Sequence, residues 1–323
     1  MVFDSVVLFC AEAWLYLTHG RQVWIFRKRL RFWPRIARPG TYNERMLWRK
    51  AVDHNPLFVV CADKLSAKAY VRQRCPEAAQ PRTLWTGVDV DAIPEELLRG
   101  DVWVKASHGW NTNIEIAGGA VDRAALKQAT EIWIKTVHGR RFHEWSSLRL
   151  KPRLFVEEAI KPARGELWEI EVRVASGRFA FGSMVRQNKR PGMWRIYLDR
   201  DGRPPPEEQG GEGFGPDGFP GALDLLPAYH EAVRLAERIG GELDYARIDF
   251  LWDGERLFAG EITIYPSAGL GPLDYPTVRG AVLREWRLSE SDFMRRRHPW
   301  PVSWYRNALG RALARAEAAA QAG

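Results

Sequence analysis

Near the end of the chain, the segment RIDFLWDGERLFAGEITIYP places two acidic residues inside apolar stretches. The residue pattern on both sides of Asp253-Gly254 predicts an antiparallel hairpin with strands over 245–252 and 256–265. Asp249 and Glu261 then lie near the strand centres and, after pairing, near each other on one face. Two facing carboxylates in an apolar sheet repel each other, so the fold has to supply a positive charge between them.

Two kinds of positive charge fit this hairpin. Proteins hold Mg²⁺ with one or two carboxylates and leave other positions to water and phosphate oxygens, and Thr263 would add a hydroxyl on the same face. Arg247 also points to this face and is placed to contact a phosphate or a developing oxyanion. The alternative is a structural ion-pair network of Arg247 with Asp249 and Glu261, and the spacing alone leaves both interpretations open.

A second candidate feature is Lys105, at the end of a predicted strand over 101–106. The polar, glycine-bearing run SHGWNTN over 107–113 follows it. A lysine before such a loop neutralises phosphate charge while backbone N–H groups surround the anion. Lys64 and Lys68 lie four residues apart on a predicted helix and add positive charge, although this spacing is also typical of a solvated face. No Walker A pattern is present.

The third candidate is VEEAI, an apolar strand that ends in two acids, Glu157 and Glu158. In a nucleotide cleft such acids accept hydrogen bonds from ribose hydroxyls or the adenine amino group, and the chain beyond them offers backbone bonds to the ring. A pair of surface acids is the simpler interpretation of the same residues.

The composition is that of an ordinary globular protein. The 323 residues are 46% hydrophobic and 27% charged, with a formal net charge of +8. These proportions exclude disordered and collagen-like chains. Cys10, Cys61 and Cys75 form no Cys-x-x-Cys pair, so the sequence suggests neither a disulfide framework nor a zinc site, and we expect a cytoplasmic protein.

Residues 1–40 differ from the rest of the chain. The apolar stretch 2–17 contains Asp4 and Glu12, is shorter than the roughly 20 residues of a membrane span, and lacks the features of a secretory signal. Seven basic residues then alternate with aromatic ones, namely Arg21, Arg27, Lys28, Arg29, Arg31, Arg35 and Arg38 with Trp24, Phe26, Phe32 and Trp33. A helix that packs its aromatic face on the protein and a peripheral contact with an anionic membrane have equal weight. Nucleic-acid binding is disfavoured, because no nucleic-acid module follows the cluster.

Periodicity along the chain predicts an α+β protein. Helices are expected over 43–54, 63–74, 124–137, 227–239 and 304–320, and further strands over 153–160, 167–175, 178–186 and 194–198. The last three strands form an antiparallel meander with turns at Gly177 and Pro191-Gly192. Loops are expected from Pro76 to Pro94 and, rich in Gly and Pro, over 201–219.

The ordered motifs resemble the ATP-grasp superfamily, to which D-alanine–D-alanine ligase belongs. They are DK…K, then V-K before a glycine-containing loop, then V-E-E, then R-x-D and, twelve residues after the aspartate, G-E-x-T. More closely, PGTYNERMLWRKAVDHNPLFVVCADKLSAKAYVR, VWVKASHGWNTNIEI and YARIDFLWDGERLFAGEITIYPSAGL resemble the TupA-like ATP-grasp family, which is associated with teichuronopeptide and other cell-surface polysaccharide synthesis. The resemblance extends from about residue 39 to 286.

The resemblance implies an ATP-grasp fold, in which two α+β lobes with antiparallel sheets enclose a nucleotide cleft. An N-terminal helical segment precedes the lobes here. The implied divisions are a basic and aromatic segment over 1–40, a helical and loop region over 41–100, a small lobe over 101–160, a large lobe with the metal site over 161–290, and a C-terminal helix over 291–323.

It also implies roles for individual residues. Lys64 and Lys105 would contact ATP phosphates, under a loop formed by Ser107, His108 and Gly109. The residues that would hold adenine and ribose are Glu157, Glu158, Ala159 and Ile160. The Mg²⁺ ligands would be Asp249, Glu261 and Thr263, and Arg247 would stabilise the transferred phosphoryl group or a tetrahedral intermediate. His108 either moves a proton or binds phosphate.

Three positions depart from the superfamily pattern. Thr263 stands where many members have Asn. The strand EIEVRV places Glu171 where a cation is expected, with Arg173 as its substitute. The phosphate loop also looks shorter than the common His-Gly-Ser-Gly form.

The implied activity is ATP- and Mg²⁺-dependent coupling of a carboxylate to an amine through an acylphosphate. The substrates would be small molecules or glycan-linked groups, such as a uronate or an amino acid, used in assembly of a cell-surface polymer. The two alternatives are a phosphotransferase that uses the same nucleotide site and a non-catalytic accessory protein of polysaccharide assembly.

Overall fold

The structure, a computed structural model, describes residues 2–186, 194–208, 222–271, 273 and 275–322. The α-helices in these ranges are α1 (Val2–Thr18), α2 (Gly20–Leu30), α3 (Tyr42–Ala51), α4 (Pro56–Ala62), α5 (Lys64–Arg74), α6 (Arg123–Lys135), α7 (Ala222–Ile239), α8 (Pro276–Glu285), α9 (Asp292–Arg295) and α10 (Val302–Ala322). The strands are β1 (Thr83–Gly87), β2 (Val102–Ala106), β3 (Asn113–Ile116), β4 (Leu154–Glu158), β5 (Trp168–Ala175), β6 (Arg178–Arg186), β7 (Trp194–Leu198), β8 (Ala246–Trp252) and β9 (Leu257–Thr263).

The strands form two antiparallel sheets. One has four strands in the order β1-β4-β2-β3, and the other has five in the order β7-β6-β5-β8-β9. The predicted meander of β5, β6 and β7 and the predicted hairpin of β8 and β9 are both confirmed within the larger sheet. β5 joins these two units, because it pairs with β6 on one side and β8 on the other.

Each sheet has its own hydrophobic core. Val104, Val156 and Leu126 pack together under the four-stranded sheet, where α6 covers its inner face. The five-stranded sheet packs against α7 and α8, and its core continues into α3, α4 and the aromatic side chains of Trp48 and Trp286. The expected α+β architecture, with two antiparallel sheets and N-terminal helices, is therefore confirmed. We call the two units the small lobe and the large lobe.

Several elements differ from the prediction, among them α8, where no helix was expected. β1 lies inside the expected loop region 76–94 and pairs with β4, so the small-lobe sheet begins before residue 101. β3 includes Asn113, the last residue of the expected loop. α4 was not predicted; Asn55 caps it by accepting a hydrogen bond from the backbone of Leu57 at 2.9 Å. β1 and β3 are short, so periodicity in the sequence is weak there and pairing with other strands decides their conformation. The turn at Pro191-Gly192 and most of the loop expected over 201–219 lie outside the described residues.

A buried cluster of charges joins α3 to the large lobe. Arg49 is fully buried, pairs with Asp244, and donates to the backbone carbonyls of Ile264 at 2.7 Å and Tyr245 at 2.5 Å. Asp53, also fully buried, accepts a hydrogen bond from the backbone of Phe293 at 2.9 Å. Burial, reinforced by the charge of Asp244, raises the pKa of Asp53 to about 7, although Arg49 acts in the opposite direction.

This raised pKa predicts how stability depends on pH. Between about pH 4 and 7 the folded chain keeps a proton on Asp53 that the unfolded chain loses, so Asp53 lowers the free energy of unfolding as pH rises through this window. Asp53→Asn keeps the acceptor for Phe293 and removes the titration. We expect the unfolding free energy of Asp53→Asn, relative to wild type, to increase between pH 5 and pH 7.5 by about 1 kcal/mol or more.

Urea unfolding at the two pH values measures this difference. The matched control is Asp91→Asn, which alters an exposed carboxylate. The difference in unfolding free energy between this variant and wild type should change little between the two pH values. If Asp53→Asn and wild type lose stability in parallel over this range, the assignment is wrong.

Candidate functional site

A cavity of about 960 Å³ lies between the two sheets. The small lobe contributes basic residues from α5 and β2 and acids from β4, and the large lobe contributes charged residues from β5, β7, β8 and β9. The predicted site residues that line it are Lys64, Lys105, Glu157, Glu158, Ile160, Arg247, Asp249 and Glu261. Residues from three separate sequence motifs therefore meet in one cleft.

Strand alternation explains how β2 presents its side chains to the cleft. Val102, Val104 and Ala106 are buried in the small-lobe core. Trp103 and Lys105 point the opposite way and line the cavity, with the Lys105 Nζ 5.5 Å from the centre of the Trp103 ring. A strand that is apolar on one face thus delivers one aromatic ring and one ammonium group to the site.

Glu157 lies between two lysines on the small-lobe wall. Its carboxylate accepts from Lys105 at 2.5 Å and pairs with Lys68, which also donates to the backbone carbonyl of Pro81. Glu157 and Lys68 are buried, whereas Lys105 remains partly accessible from the cavity. Burial lowers the pKa of Lys68, and the charge of Glu157 opposes that shift. Glu157 thereby fixes the ammonium groups of two different elements, α5 and β2, at the cleft.

The loop after β2 is tied to the start of α5. Asp63 caps α5 by accepting from the Ser66 backbone at 2.8 Å, and the Lys64 backbone donates to the carbonyl of Ser107 at 2.8 Å. The Lys64 side chain donates to the carbonyl of Gly109 at 2.6 Å. Gly109 has φ +78°, and a side chain there would meet the His138 ring at 2.4 Å, so this position requires glycine.

His108 and Ser107 are not brought to the cavity wall. The His108 ring is buried, lies 3.0 Å by its Nε2 from the carbonyl of Trp133, and packs edge-on against His138. Burial lowers its pKa. The Ser107 side chain is also buried, and its hydroxyl has no hydrogen-bond partner. Both side chains face the interior under the loop, and the Ser107 N–H donates to the backbone carbonyl of Arg153 at 2.8 Å, so neither residue is directed at the cavity.

Two further predicted ligands have other partners. The backbone N–H of Ala159 donates to the carbonyl of Asp101 at 3.2 Å. Glu158 binds Arg82, accepting from its backbone at 2.8 Å and from its guanidinium at 2.7 Å. Ile160, by contrast, lines the cavity with its side chain.

Arg247 and Asp249 form a two-point ion pair on β8. The Arg247 Nε and Nη2 donate to the two oxygens of Asp249 at 2.7 and 2.6 Å, and Nη2 also lies 3.3 Å from the Thr263 hydroxyl. The contact between Arg247 and Thr263 confirms that they share a face of the sheet. The structure therefore contains the ion pair between Arg247 and Asp249 that was one of the two interpretations of the sequence.

Glu261 lies on the same wall but is exposed. The register passes from Ile248 opposite Ile262 to Phe250 opposite Ala259, so Gly260 and Glu261 together face Asp249. This β-bulge aims the Glu261 carboxylate at the cleft. In the described part of the chain no other side chain binds it. Burial, with the nearby charges of Glu171 and Glu261, raises the pKa of Asp249 to about 7, and Arg247 opposes the rise.

Glu171 is the buried centre of the large-lobe wall. It accepts from Arg195 at 2.5 and 3.0 Å, from Arg173 at 3.2 Å, and lies 3.6 Å from the Arg247 guanidinium. These arginines hold the pKa of Glu171 well below its usual range, although burial acts against them. The same carboxylate, together with Asp249, raises the pKa of Arg247.

Arg195 is the site residue that sequence reasoning missed. The cation expected to substitute on the EIEVRV strand was Arg173, but Arg173 is buried, 4.4 Å from the centre of the Phe181 ring. Arg195 lies on β7 and lines the cavity, and its Nη1 donates a hydrogen bond to the Ser183 hydroxyl at 3.1 Å. Finding Arg195 from the sequence would have required the registers of both β5 with β6 and β6 with β7, because only these pairings place Arg195 on the same face of the sheet as Glu171.

The residues on β8 and β9 suit a magnesium ion. Asp249 and Glu261 offer carboxylate oxygens at the cavity, and hard oxygen donors are those that Mg²⁺ prefers. Across the described ranges no set of three or more His, Cys, Asp or Glu residues is grouped for metal binding. A site with two carboxylates, completed by water and phosphate oxygens, is of the kind that Mg²⁺ uses.

The buried position of Glu157 predicts a large effect on stability. Glu157→Gln leaves the buried ammonium group of Lys68 without its carboxylate, so we expect the free energy of unfolding to fall by about 3 kcal/mol. The double variant Glu157→Gln/Lys68→Met should recover part of this loss, because it removes the unpaired charge. Chemical denaturation measures both.

The control for this prediction is the adjacent acid. Glu158→Gln removes a pair with the exposed Arg82, which should cost less than about 1 kcal/mol. Equal losses for the two single variants would contradict the structural role assigned to Glu157.

Comparison with known proteins gives remote similarity only. No protein-family model matches the chain, and no curated protein matches its sequence. D-alanine–D-alanine ligase from Bacillus anthracis complexed with ATP is similar in structure at a TM-score of 0.39 and 14% identity, over 80% of this chain and 68% of that one. ATP-grasp ligase PsnB, complexed with Mg and ADP, gives 0.38 and 13% over 84% and 66%. VanG D-Ala:D-Ser ligase from Enterococcus faecalis gives 0.39 and 12% over 79% and 62%. The chain thus spans about two thirds of the length of these proteins.

Proposed function

We propose that the chain is an ATP- and Mg²⁺-dependent carboxylate–amine ligase of the ATP-grasp superfamily that acts through an acylphosphate. The observation that carries the proposal is the cleft itself. Lysines held by Glu157 line one wall, and Arg247 with Asp249 and Glu261 lines the other. The order of motifs along the sequence, from DK to G-E-x-T, independently supports the same assignment.

The small-lobe wall supplies positive charge for the phosphates of ATP. Lys105 is held by Glu157 with its ammonium group at the cavity, and Lys64 lies beside the glycine loop. Fixed ammonium groups stabilise the charge that develops on a transferred phosphoryl group, because they need no reorganisation during the reaction. The ring of Trp103 and the side chain of Ile160 offer apolar surface for the base.

The charge balance of the cleft supports a divalent cation. The cavity lining contains eight Asp or Glu residues and six Lys or Arg residues. A nucleoside triphosphate adds further negative charge, so the acids of the lining favour its entry only as a complex with a cation. Asp249 and Glu261 would hold Mg²⁺, which when bound supplies charge neutralisation at the phosphates.

The reaction needs positioning more than proton transfer. A substrate carboxylate oxygen attacks the γ-phosphorus, a new P–O bond forms, and the bond to the bridging oxygen breaks as ADP leaves. An amine nitrogen then attacks the acyl carbon, the C–O bond to phosphate breaks, and the amine proton passes to the released phosphate. Arg247, at the cavity wall, would stabilise the oxyanion of the tetrahedral intermediate.

Two guanidinium groups are placed to receive the carboxylate substrate. Arg195 and Arg247 line the cavity on the large-lobe side, and both are anchored behind by Glu171. Guanidinium groups bind carboxylates at two points and stay charged at all physiological pH values. We propose that the substrates belong to cell-surface polymer synthesis, a glycan-linked uronate or an amino acid. The resemblance of about residues 39–286 to the TupA-like family supports this choice.

Product analysis tests the proposal. Purified full-length chain is incubated with ATP, Mg²⁺ and a panel of amino acids and uronates, and ADP, phosphate and amide product are measured. ADP and phosphate formation that needs both a carboxylate and an amine supports the ligase. A stable phosphorylated product without need for an amine would overturn it in favour of a phosphotransferase. Failure to bind ATP at millimolar concentration with Mg²⁺ would leave only a non-catalytic role.

Glu261 gives the sharpest single test of the metal assignment. Its carboxylate is exposed, so Glu261→Gln should leave the fold intact and lower turnover by about 100-fold or more. Glu255→Gln, in the turn of the same hairpin, is the control; it removes only an exposed pair with Arg164 and should leave turnover unchanged. Turnover is followed as ADP release, with Mg²⁺ varied. Equal activity of the two variants would defeat the assignment.

A further inference from the structure

The first helix faces its apolar side away from the protein. Ten residues of α1 are exposed; eight of them, at positions 2, 3, 6, 9, 10, 13, 14 and 17, are apolar or cysteine, and the other two are Ser5 and Thr18. Phe9 is 74% exposed and Leu17 is 85% exposed. At 3.6 residues per turn these positions form one continuous stripe along the helix. We call this stripe the outer face of α1.

The two acids of α1 lie on the opposite side and are satisfied there. Asp4 is buried and accepts from the Arg311 guanidinium of α10 at 2.9 and 2.5 Å. Glu12 accepts from the backbone of Ile36 at 2.9 Å and of Ala37 at 2.6 Å. The polarity of α1 is thus the reverse of that of a surface helix in a water-soluble protein, which exposes its charges and buries its apolar stripe. Contacts inside the protein fix this orientation, so the outer face needs another apolar medium.

Aromatic residues of α10 and of the segment just before it extend the outer face. Phe3 meets Trp304 edge-on with 5.3 Å between ring centres, and Trp304 meets Trp300 at 5.9 Å. Trp300 and Trp304 are both exposed. Together with Trp14, they give the patch the tryptophan-rich composition that favours the boundary between headgroups and acyl chains.

Basic residues adjoin this patch. The Trp33 ring lies 6.4 Å from Tyr16 of α1 and carries the Arg27 guanidinium 5.8 Å from its centre. The residues Arg21, Lys28, Arg29, Arg31 and Arg38 are exposed, and in the described chain their side chains form no ion pair. No acidic residue occurs between Glu12 and Glu44. An apolar face bordered by unpaired positive charge is complementary to an anionic lipid surface.

The length of α1 and its bend against α2 distinguish it from a straight membrane span. No single helix of the described chain is long and apolar enough to cross a membrane. Among the described residues, only α1 and α2 taken together have sufficient length and apolar composition, and they are bent by 91° at their junction. We propose that α1 lies in the plane of an anionic phospholipid bilayer, with its outer face in the headgroup–acyl boundary and the basic residues at the phosphates. This proposal does not depend on the proposed function.

A second copy of the chain fits the outer face less well. In a symmetric dimer through this face, a twofold axis pairs the same patch of the two copies. The unpaired basic residues beside the outer face would therefore lie close to the same basic residues of the second copy. The repulsion would have no acidic partner in the segment to offset it. A lipid surface supplies both the apolar medium and the negative charge.

Vesicle sedimentation with the full chain tests the proposal. We expect the wild type to bind vesicles containing phosphatidylglycerol at least about tenfold more tightly than pure phosphatidylcholine vesicles, and less tightly as salt is raised. Phe9→Glu/Leu17→Glu changes two exposed residues and should reduce binding to anionic vesicles at least tenfold. Lys28→Glu/Arg29→Glu should remove most of the preference for anionic lipid.

Ile132→Glu is the matched control, because Ile132 is an exposed apolar residue, 57% accessible, on α6 of the small lobe. It should bind vesicles like wild type, and thermal unfolding checks that all variants fold. The proposal is overturned if wild type fails to sediment with anionic vesicles, if Ile132→Glu loses binding as strongly as Phe9→Glu/Leu17→Glu, or if the latter variant only converts a dimer to a monomer, seen by light scattering, without changing vesicle binding.

Discussion

The buried carboxylate of Glu171 is the interaction on which the large-lobe wall depends. Three guanidinium groups from three strands converge on it, and without a central negative charge they would repel one another. The carboxylate is itself stable in the sheet only because those groups surround it. Arg195 and Arg247 both bind Glu171 and both line the cavity. Glu171 therefore sets the position of the positive charge on this wall of the cleft.

The small-lobe wall follows the same rule with a different set of residues. Glu157 is buried and binds two lysines, of which Lys105 extends toward the cavity. In both walls a buried acid holds at least one cation that is partly exposed, namely Lys105 in the small lobe and Arg195 and Arg247 in the large lobe. The cleft therefore presents charge that is already oriented before a ligand enters. In the proposed reaction, preorganised charge of this kind would lower the cost of stabilising a transferred phosphoryl group, because neither wall would have to rearrange. Glu261, exposed on its β-bulge, is the acid that under the proposed function would hold a cation from solution.

Local sequence patterns predicted the elements that depend on neighbouring residues. The hairpin of β8 and β9 follows from the turn Asp253-Gly254 and the residues on each side, and the helix α5 from its cap and spacing. The pairing of Arg195 with Glu171 was out of reach, because it spans two strand registers, one of which contains a bulge between Arg173 and Val174. The orientation of His108 was also out of reach, since its burial depends on α6 and His138 packing over the loop from elsewhere in the chain.

The first helix shows a different limit of sequence patterns. The sequence showed that its apolar stretch is short for a membrane span, but periodicity cannot tell which way such a stretch faces, because a stripe has the same spacing whichever way it faces. The two acids decide the direction. Asp4 and Glu12 bind Arg311 and the backbone of Ile36 and Ala37, so rotation of α1 to bury its apolar stripe would break these contacts and leave two carboxylates without them. Polar contacts therefore turn the apolar face outward. Five basic residues of the following segment, Arg21, Lys28, Arg29, Arg31 and Arg38, form no ion pair in the part of the chain that the structure describes. In the N-terminal helices, as in the cleft, buried or half-buried acids thus set the orientation of the groups that face outward.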